Sequence, residues 1–300
     1  MTGSSAASKD ALPAFGAPPG GQLTADMVGA YRQAGVLVLR DFVSLAACRR
    51  LRQRAAELVD TFDVDKLRSV FSTTRQTQLT DRYFMESGDK IRFFLEAGAF
   101  DESGRLRQSK VNSLNKMGHA MHDLDPVFDA FSHSPELDAV ARALGVAEPA
   151  VIQSMYLFKP PRIGAEVVCH QDSTYLYTEP ESCIGFWFAL EDATIENGCL
   201  YFIPGAHRGP LRKRNHRLDD GTSRTDVLCD EPFPEDKKVA AEVSAGTLVV
   251  FDGRAPHLSG ENRSGRSRHA YSLHVIDRRC HYPADNWLQR GPELPLRGFV

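Results

Sequence analysis

No apolar run in these 300 residues approaches the length needed to span a bilayer, so a helical membrane anchor is excluded and a soluble chain is expected. No C-x-x-C pair occurs either. The six cysteines stand apart at 48, 169, 183, 199, 229 and 280, which argues against a disulfide framework and for buried free thiols in a reducing compartment. Charge of one sign is also missing. At a net −3 the chain offers no sequence-wide attraction for nucleic acid or an anionic membrane. There is no internal repeat. Residues 1–21, MTGSSAASKDALPAFGAPPGG, are almost free of large apolar side chains and are expected to form a disordered tail. They lack the apolar centre of a secretory signal and the arginines of a transit peptide. The terminal Gly298-Phe299-Val300 is not a peroxisomal SKL-type address, which leaves the cytoplasm as the expected location.

What is present is an ordinary globular composition, 42% hydrophobic and 25% charged, enough for a sizeable core. Thr24 is placed to cap a helix running to Ala34, closed by Gly35 and followed by the buried strand Val36-Leu37-Val38-Leu39. Ser44 opens a long amphipathic helix to about Phe62. From Thr74 to Ser87 the pattern is polar and irregular. Ile91–Leu95 and Val111–Met117 read as strands, and His119–Leu144 as helix broken near Pro126 and Pro135. After Ala150 short apolar runs recur, at 151–158, 184–190, 199–203, 247–251 and 271–276, separated by Gly, Pro, Asn and Asp. Helices first and strands after predict an α+β chain around a β sandwich or barrel. Pro204–Lys238 is a charged insert, long enough to be a lid, a binding element or a disordered loop.

The chemistry starts at His170-Gln171-Asp172. On a strand, residues i and i+2 leave the same face, so the imidazole and the carboxylate can chelate one metal while Gln171 points away. Alone the pair is weak: with ten histidines, roughly one such match arises by chance. A third ligand, His257, follows the strand-like Thr247-Leu248-Val249-Val250-Phe251-Asp252. Two histidines and one carboxylate leave three positions of a metal open, which suits a non-haem iron(II) oxygenase better than the four-ligand or His/Cys sites of zinc. Cys169 faces the other side of the strand and is no ligand. Arg268 enters the last strand on one face with Ala270 and Ser272, where a guanidinium can grip a carboxylate through two hydrogen bonds. Arg263 and Arg266 read as solvated loop residues. Trp187 shares a face with Gly185 and Ala189, two small residues that leave room for a ligand beside the ring. Ser259 follows His257 by two and can face the same pocket. His207 is expected to stabilise a turn.

These residues, with Glu191–His207 between them, resemble the phytanoyl-CoA dioxygenase family. Ser87–Phe94, Gln153–Tyr156, Tyr177–Pro180 and Asn286–Leu288 look like its branch of domain-containing proteins rather than the peroxisomal hydroxylase. The resemblance runs from about residue 24 to 295. It implies a double-stranded β-helix (jelly-roll) core flanked by N-terminal helices, with residues 22–300 forming a single dioxygenase domain. It implies iron(II) on His170, Asp172 and His257, and contacts to the cosubstrate 2-oxoglutarate from Lys116, Met155, Trp187, Ser259 and Arg268 as well as the metal ligands. By the residues alone Lys116 is one more charge near a strand end, and Met155 a core residue. Pro204-Gly205-Ala206-His207 departs from the family's Pro-Gly-Ser-His by one turn hydroxyl.

The resemblance further implies an enzyme that consumes O₂ and 2-oxoglutarate and oxidises a C–H bond of a small-molecule substrate, releasing succinate and CO₂. Related halogenases carry Gly or Ala where Asp172 stands, so hydroxylation or desaturation is expected rather than halogenation. Nothing marks a CoA-binding site, and the sequence is silent on oligomeric state. Two other readings stay open: a non-catalytic jelly roll that binds a metabolite or protein, and a zinc-dependent cupin-like hydrolase or isomerase.

Overall fold

The structure is a computed structural model that describes residues 11–66, 68–74 and 81–299. In chain order the elements are β1 (Ala14–Gly16), α1 (Ala25–Ala34), β2 (Val36–Arg40), α2 (Leu45–Thr61), α3 (Arg82–Met85), β3 (Ile91–Leu95), β4 (Leu114–His119), α4 (Met121–Leu124), α5 (Pro126–Ser132) and α6 (Pro135–Ala143). The strand-rich part follows: β5 (Pro149–Leu157), β6 (Val167–His170), β7 (Ile184–Ala189), β8 (Leu200–Phe202), β9 (Lys213–Arg217), β10 (Ser223–Val227), β11 (Val239–Ala241), β12 (Leu248–Asp252), β13 (His257–Ser259), β14 (Ala270–Asp277) and β15 (Arg297–Gly298).

Local chemistry sets the helix ends. Thr24 Oγ1 accepts the Met27 N–H at 3.3 Å, and Gly35 closes α1 at φ +76°, a left-handed position that suits glycine. Ser44 Oγ caps α2 by accepting the Ala47 N–H at 3.1 Å. Pro126 and Pro135 open α5 and α6 at their first turns, where a missing N–H costs nothing.

Eight strands form the jelly roll. β12, β7, β14 and β5 are neighbours in the larger sheet, and β11, β8, β13 and β6 form the smaller one. Strand alternation then sorts side chains into two cores. Leu37, Leu39, Phe186, Phe188, Leu248, Val250, Tyr271 and Leu273 join the helices in one buried cluster. Val36, Val38, Trp187, Val249, Phe251 and Ala270 meet Leu200 and Phe202 of β8 in the other, between the sheets. Arg268, Ser272 and His274 follow the parity of Ala270, so β14 turns its polar residues into the roll. Among the described residues no helix is long and apolar enough to cross a membrane. All six cysteines are free, and Cys48, Cys183 and Cys199 are buried.

Two expectations are corrected. The disordered tail assigned to residues 1–21 is overturned for residues 11–21; residues 1–10 lie outside the described set. β1 pairs in parallel with β2, Val38 N–H donates to Pro13 O at 2.9 Å and Ala17 N–H to Arg40 O at 2.8 Å. Backbone pairing to an open sheet edge orders a segment whose side chains bury little. The insert at 204–238 is likewise more than a loop, since β9 and β10 form an antiparallel hairpin within it. Of the irregular stretch 74–87, residues 75–80 lie outside the described residues and α3 occupies part of the rest.

Candidate active site

β6 and β13 lie antiparallel with His170 directly opposite His257, which brings the imidazole ring centroids to 4.3 Å. β6 ends at His170, and Asp172 opens a 3₁₀ turn rather than continuing the strand. The shared face survives because Gln171 keeps extended backbone angles, φ −117° and ψ 133°. One donor atom from each of His170, Asp172 and His257 lies within 4.8 Å of the others. Asp172 Oδ1 is 3.4 Å from His170 Nε2 and 3.8 Å from His257 Nε2.

Both imidazoles are locked in one tautomer. His170 Nδ1 donates to Val168 O at 2.9 Å and His257 Nδ1 to Ala255 O at 3.0 Å, so each Nε2 presents a lone pair to the centre. Burial first, and then the neighbouring His170, lowers the pKa of His257 to about 4. For Asp172 burial acts upward, but the neighbouring His274 and His257, the close approach of His170 and the hydrogen bond from His274 outweigh it and hold the carboxyl well below its usual range. The same pairing with Asp172 raises His170 against the effect of burial. Two imidazoles and a carboxylate on one side of a centre, with no thiolate among them, fit ferrous iron with open positions.

The triad lies on a cavity of about 240 Å³ that Lys116, Met155, Trp187, Ser259 and Arg268 also line. All eight sequence-predicted residues therefore line one cavity. Arg268 is 2% exposed. Its Nε donates to Gly198 O at 3.1 Å and its Nη2 to Ser259 Oγ at 3.5 Å, while Nη1 is buried with no partner among the described residues. Burial lowers its pKa to about 10, still charged at neutral pH. A buried guanidinium nitrogen with an unmet donor fits a guest carboxylate. Arg263 and Arg266 are exposed. His207 Nε2 bonds to Arg32 O at 3.2 Å, a turn-to-helix link away from the triad.

Lys116 is 5% exposed and finds no carboxylate among the described residues. Its Nζ lies 3.5 Å from the centroid of the Phe71 ring and 3.9 Å from Met155 Sδ, and burial lowers its pKa to about 7. Trp187 is placed as its strand parity requires, but the space beside it at Gly185 is not free for a ligand. A Cβ at Gly185 would come within 2.3 Å of the Phe251 ring, which itself packs 4.7 Å from the His257 ring. Glycine here lets Phe251 buttress a triad imidazole.

Three residues on the cavity wall escaped the sequence reading. His274 Nε2 donates to Asp172 Oδ2 at 2.8 Å, leaving Oδ1 to face the histidines. The signal was its i, i+2 series with Arg268, Ala270 and Ser272. Lys159 is 5% exposed and donates from Nζ to Ser259 Oγ at 2.7 Å and to Ala165 O at 2.5 Å. Its backbone sits at φ +41°, a strained position for a non-glycine residue. Glu96 is fully buried, accepts from Asn115 Nδ2 at 3.0 Å, and is raised to about 7 by burial against the pull of Lys159.

Similarity to known proteins agrees with this geometry. A sequence model of the family Phytanoyl-CoA dioxygenase matches residues 31–270. The phytanoyl-CoA dioxygenase of Arabidopsis thaliana is 46% identical over 274 residues, covering 90% of this chain and 95% of that one. Phytanoyl-CoA dioxygenase domain-containing protein 1 of Bos taurus is 45% identical over 276 residues, covering 89% and 94%. Among solved structures, the non-haem α-ketoglutarate-dependent carbocyclase SnoK from nogalamycin biosynthesis shares the fold, with a TM-score of 0.60 at 20% identity over 92% of this chain and 97% of that one. By the reach of the family match and the identity to relatives along nearly their whole length, the chain belongs to the phytanoyl-CoA dioxygenase family.

Proposed function

We propose that this chain is an iron(II)- and 2-oxoglutarate-dependent hydroxylase of a small molecule. The observation that carries the reading is a His-Asp-His donor set sharing one cavity with a buried guanidinium that has an unmet donor. Iron bound at this site together with 2-oxoglutarate supplies the oxidising power, with O₂ consumed, succinate and CO₂ released, and an oxygen atom delivered to the substrate.

The chain's own residues do the rest. His170, His257 and Asp172 Oδ1 would hold the metal, three donors that leave positions for other ligands. Arg268 and Ser259 take the far carboxylate of the cosubstrate, while Lys116, Met155 and Trp187 form the wall along its length. The apolar lining keeps water from the reacting atoms. Asp172 fills the ligand position that a halide would need, which favours hydroxylation over halogenation. The chain from residue 22 onward acts as one catalytic domain, with β1 as an added edge strand, and its free thiols suit the cytoplasm.

The test is succinate release from 2-oxoglutarate by purified protein with Fe(II) and O₂, in wild type and Asp172→Ala. Slow release by wild type and none by the variant is expected. Equal absence in both would favour a non-catalytic binder, activity without O₂ and 2-oxoglutarate would favour the hydrolytic reading, and a chlorinated product in chloride buffer would overturn hydroxylation.

A further inference from the structure

The cavity holds more positive charge than the cosubstrate end accounts for. Among the described residues that line it, Lys116, Lys159, Arg212, Lys213 and Arg268 are cationic, and only Glu96 and Asp172 are acidic. Asp172 belongs to the triad, and Glu96 faces Lys159, which feels its charge. Arg268 and Lys159 both reach Ser259 at the buried end. Arg212 and its chain neighbour Lys213 come instead from the insert, where it leads into β9.

Arg212 is built as a binding group rather than a solvated one. Its side chain is 14% exposed, and its guanidinium lies 4.7 Å from the centroid of the Phe233 ring. The nearest carboxylate, Glu231, is 3.7 Å away on a side chain 74% exposed, so water screens that pair. Arg212 Nη1 is buried and has no hydrogen-bond partner among the described residues. A buried donor left unmet is costly unless a guest supplies the acceptor.

Its backbone is fixed relative to the metal centre. Arg212 N–H donates to Gln171 Oε1 at 2.9 Å, and Gln171 is the residue between His170 and Asp172. Arg212 O accepts the N–H groups of Leu228 at 2.8 Å and Cys229 at 3.1 Å. Phe233 lies against Arg212, and Phe71, Tyr175 and Leu176 are further apolar parts of the same lining.

We propose that the prime substrate is a small organic acid whose carboxylate docks on Arg212 and whose apolar body lies along this lining towards the triad. A planar fork with a spare donor suits a carboxylate, and the apolar residues of the same lining suit an apolar body. The inference rests on the oxygenase reading above and names the substrate class of that site.

The test uses octanoate, octanol and octylamine as probes of equal chain length. Each is titrated calorimetrically into the protein loaded with Fe(II) and 2-oxoglutarate under nitrogen, so that nothing turns over. Octanoate is expected to bind wild type and the other two not. Arg212→Gln should weaken octanoate about tenfold, the loss of one charge-assisted hydrogen bond, and Arg212→Lys should restore part of it. Affinity for 2-oxoglutarate, titrated first in the same cell, should be the same in all three proteins. No binding of octanoate, equal binding of octanol or octylamine, or an unchanged octanoate affinity in Arg212→Gln overturns the proposal. Failure of 2-oxoglutarate to bind wild type is a separate result that removes the oxygenase reading instead.

Discussion

His274 on β14 holds Asp172 by the oxygen that faces away from the triad, Nε2 to Oδ2 at 2.8 Å, while Oδ1 is left for the metal. His274 acts through Asp172 and is a positioning residue. Hydrogen bonds behind a ligand set its orientation and its basicity, and losing one typically costs about 10–100-fold in metal affinity. His274→Ala should weaken iron binding by that amount, read by competitive titration with a chelator, while leaving the cooperative thermal transition in place. His274→Asn, which keeps a donor, should recover part of the loss. Iron affinity equal to wild type in the alanine variant would show that Asp172 is oriented without His274.

The distal end of the cavity makes a separable prediction. Arg268 presents its unmet Nη1, and Lys159 reaches the same Ser259 hydroxyl. Arg268→Gln should raise the KM for 2-oxoglutarate on the order of a hundredfold, since it removes a buried charge-assisted pair. Lys159→Met should raise it about tenfold, with kcat less affected. A Lys159→Met variant with wild-type KM would make this lysine a partner of Glu96 alone.

Much of the fold was legible because apolar runs mark the strands of the roll, and those runs are what burial between two sheets demands. The triad was legible for a related reason: His170 and Asp172 are near neighbours and His257 begins a short strand. His274 and Lys159 were not, since each acts on a residue about 100 positions away, Asp172 and Ser259, and only the register of the sheets joins them. The β9–β10 hairpin was hidden by its polarity. Asn215 within it is buried and donates to Ser223 Oγ, Arg224 O and Thr225 Oγ1, so hydrogen bonds replace the hydrophobic alternation that a strand reading looks for. β1 escaped because composition counts side-chain burial and misses backbone pairing to an edge.

Lys116 carries a stability cost that its removal should reveal. Its pKa is about 7 in the folded protein because burial opposes its charge, against about 10.4 in an unfolded chain. Between these values the unfolded state binds more protons, so stability rises with pH across that window. Lys116→Met should therefore be more stable than wild type by on the order of 2–4 kcal/mol at pH 7, an advantage that shrinks towards pH 10. The same variant should bind 2-oxoglutarate more weakly. Thermal unfolding at several pH values checks the first statement, and a variant less stable than wild type at pH 7 would contradict it.

Acid should destabilise the metal-free protein well above the carboxylate range. His122 and His257 are buried and titrate at about 4, chiefly because burial disfavours their charged forms. An unfolded histidine titrates near 6.5, so between about 6.5 and 4 the unfolded chain takes up protons that the folded one refuses. Stability is thus complete above that window and falls as pH drops through it, by up to roughly 3 kcal/mol for each group. Urea midpoints measured from pH 7 to 4 should decline, and iron should raise them without flattening the decline, because it binds the folded chain and leaves the proton uptake of the unfolded one in place. A midpoint constant over this range would count against both assignments.

Gln171 offers a way to part the metal centre from the insert. Its amide donates to Arg254 O at 2.9 Å and to Pro210 O at 3.3 Å, and its oxygen accepts Arg212 N–H at 2.9 Å. The side chain between two metal ligands thereby ties down the segment that leads into β9. Gln171→Leu keeps the volume but takes this side-chain partner from three backbone groups, two of them on half-buried residues, a cost of about 1–3 kcal/mol for each that water cannot reach. The hydrogen bonds that orient His170, His257 and Asp172 are untouched, so iron affinity should stay near wild type. The insert should loosen, which limited proteolysis between residues 204 and 238 would record as faster cleavage, and octanoate binding at Arg212 should weaken with it. Lost iron affinity with unchanged proteolysis would mean that Gln171 serves the metal centre and not the insert.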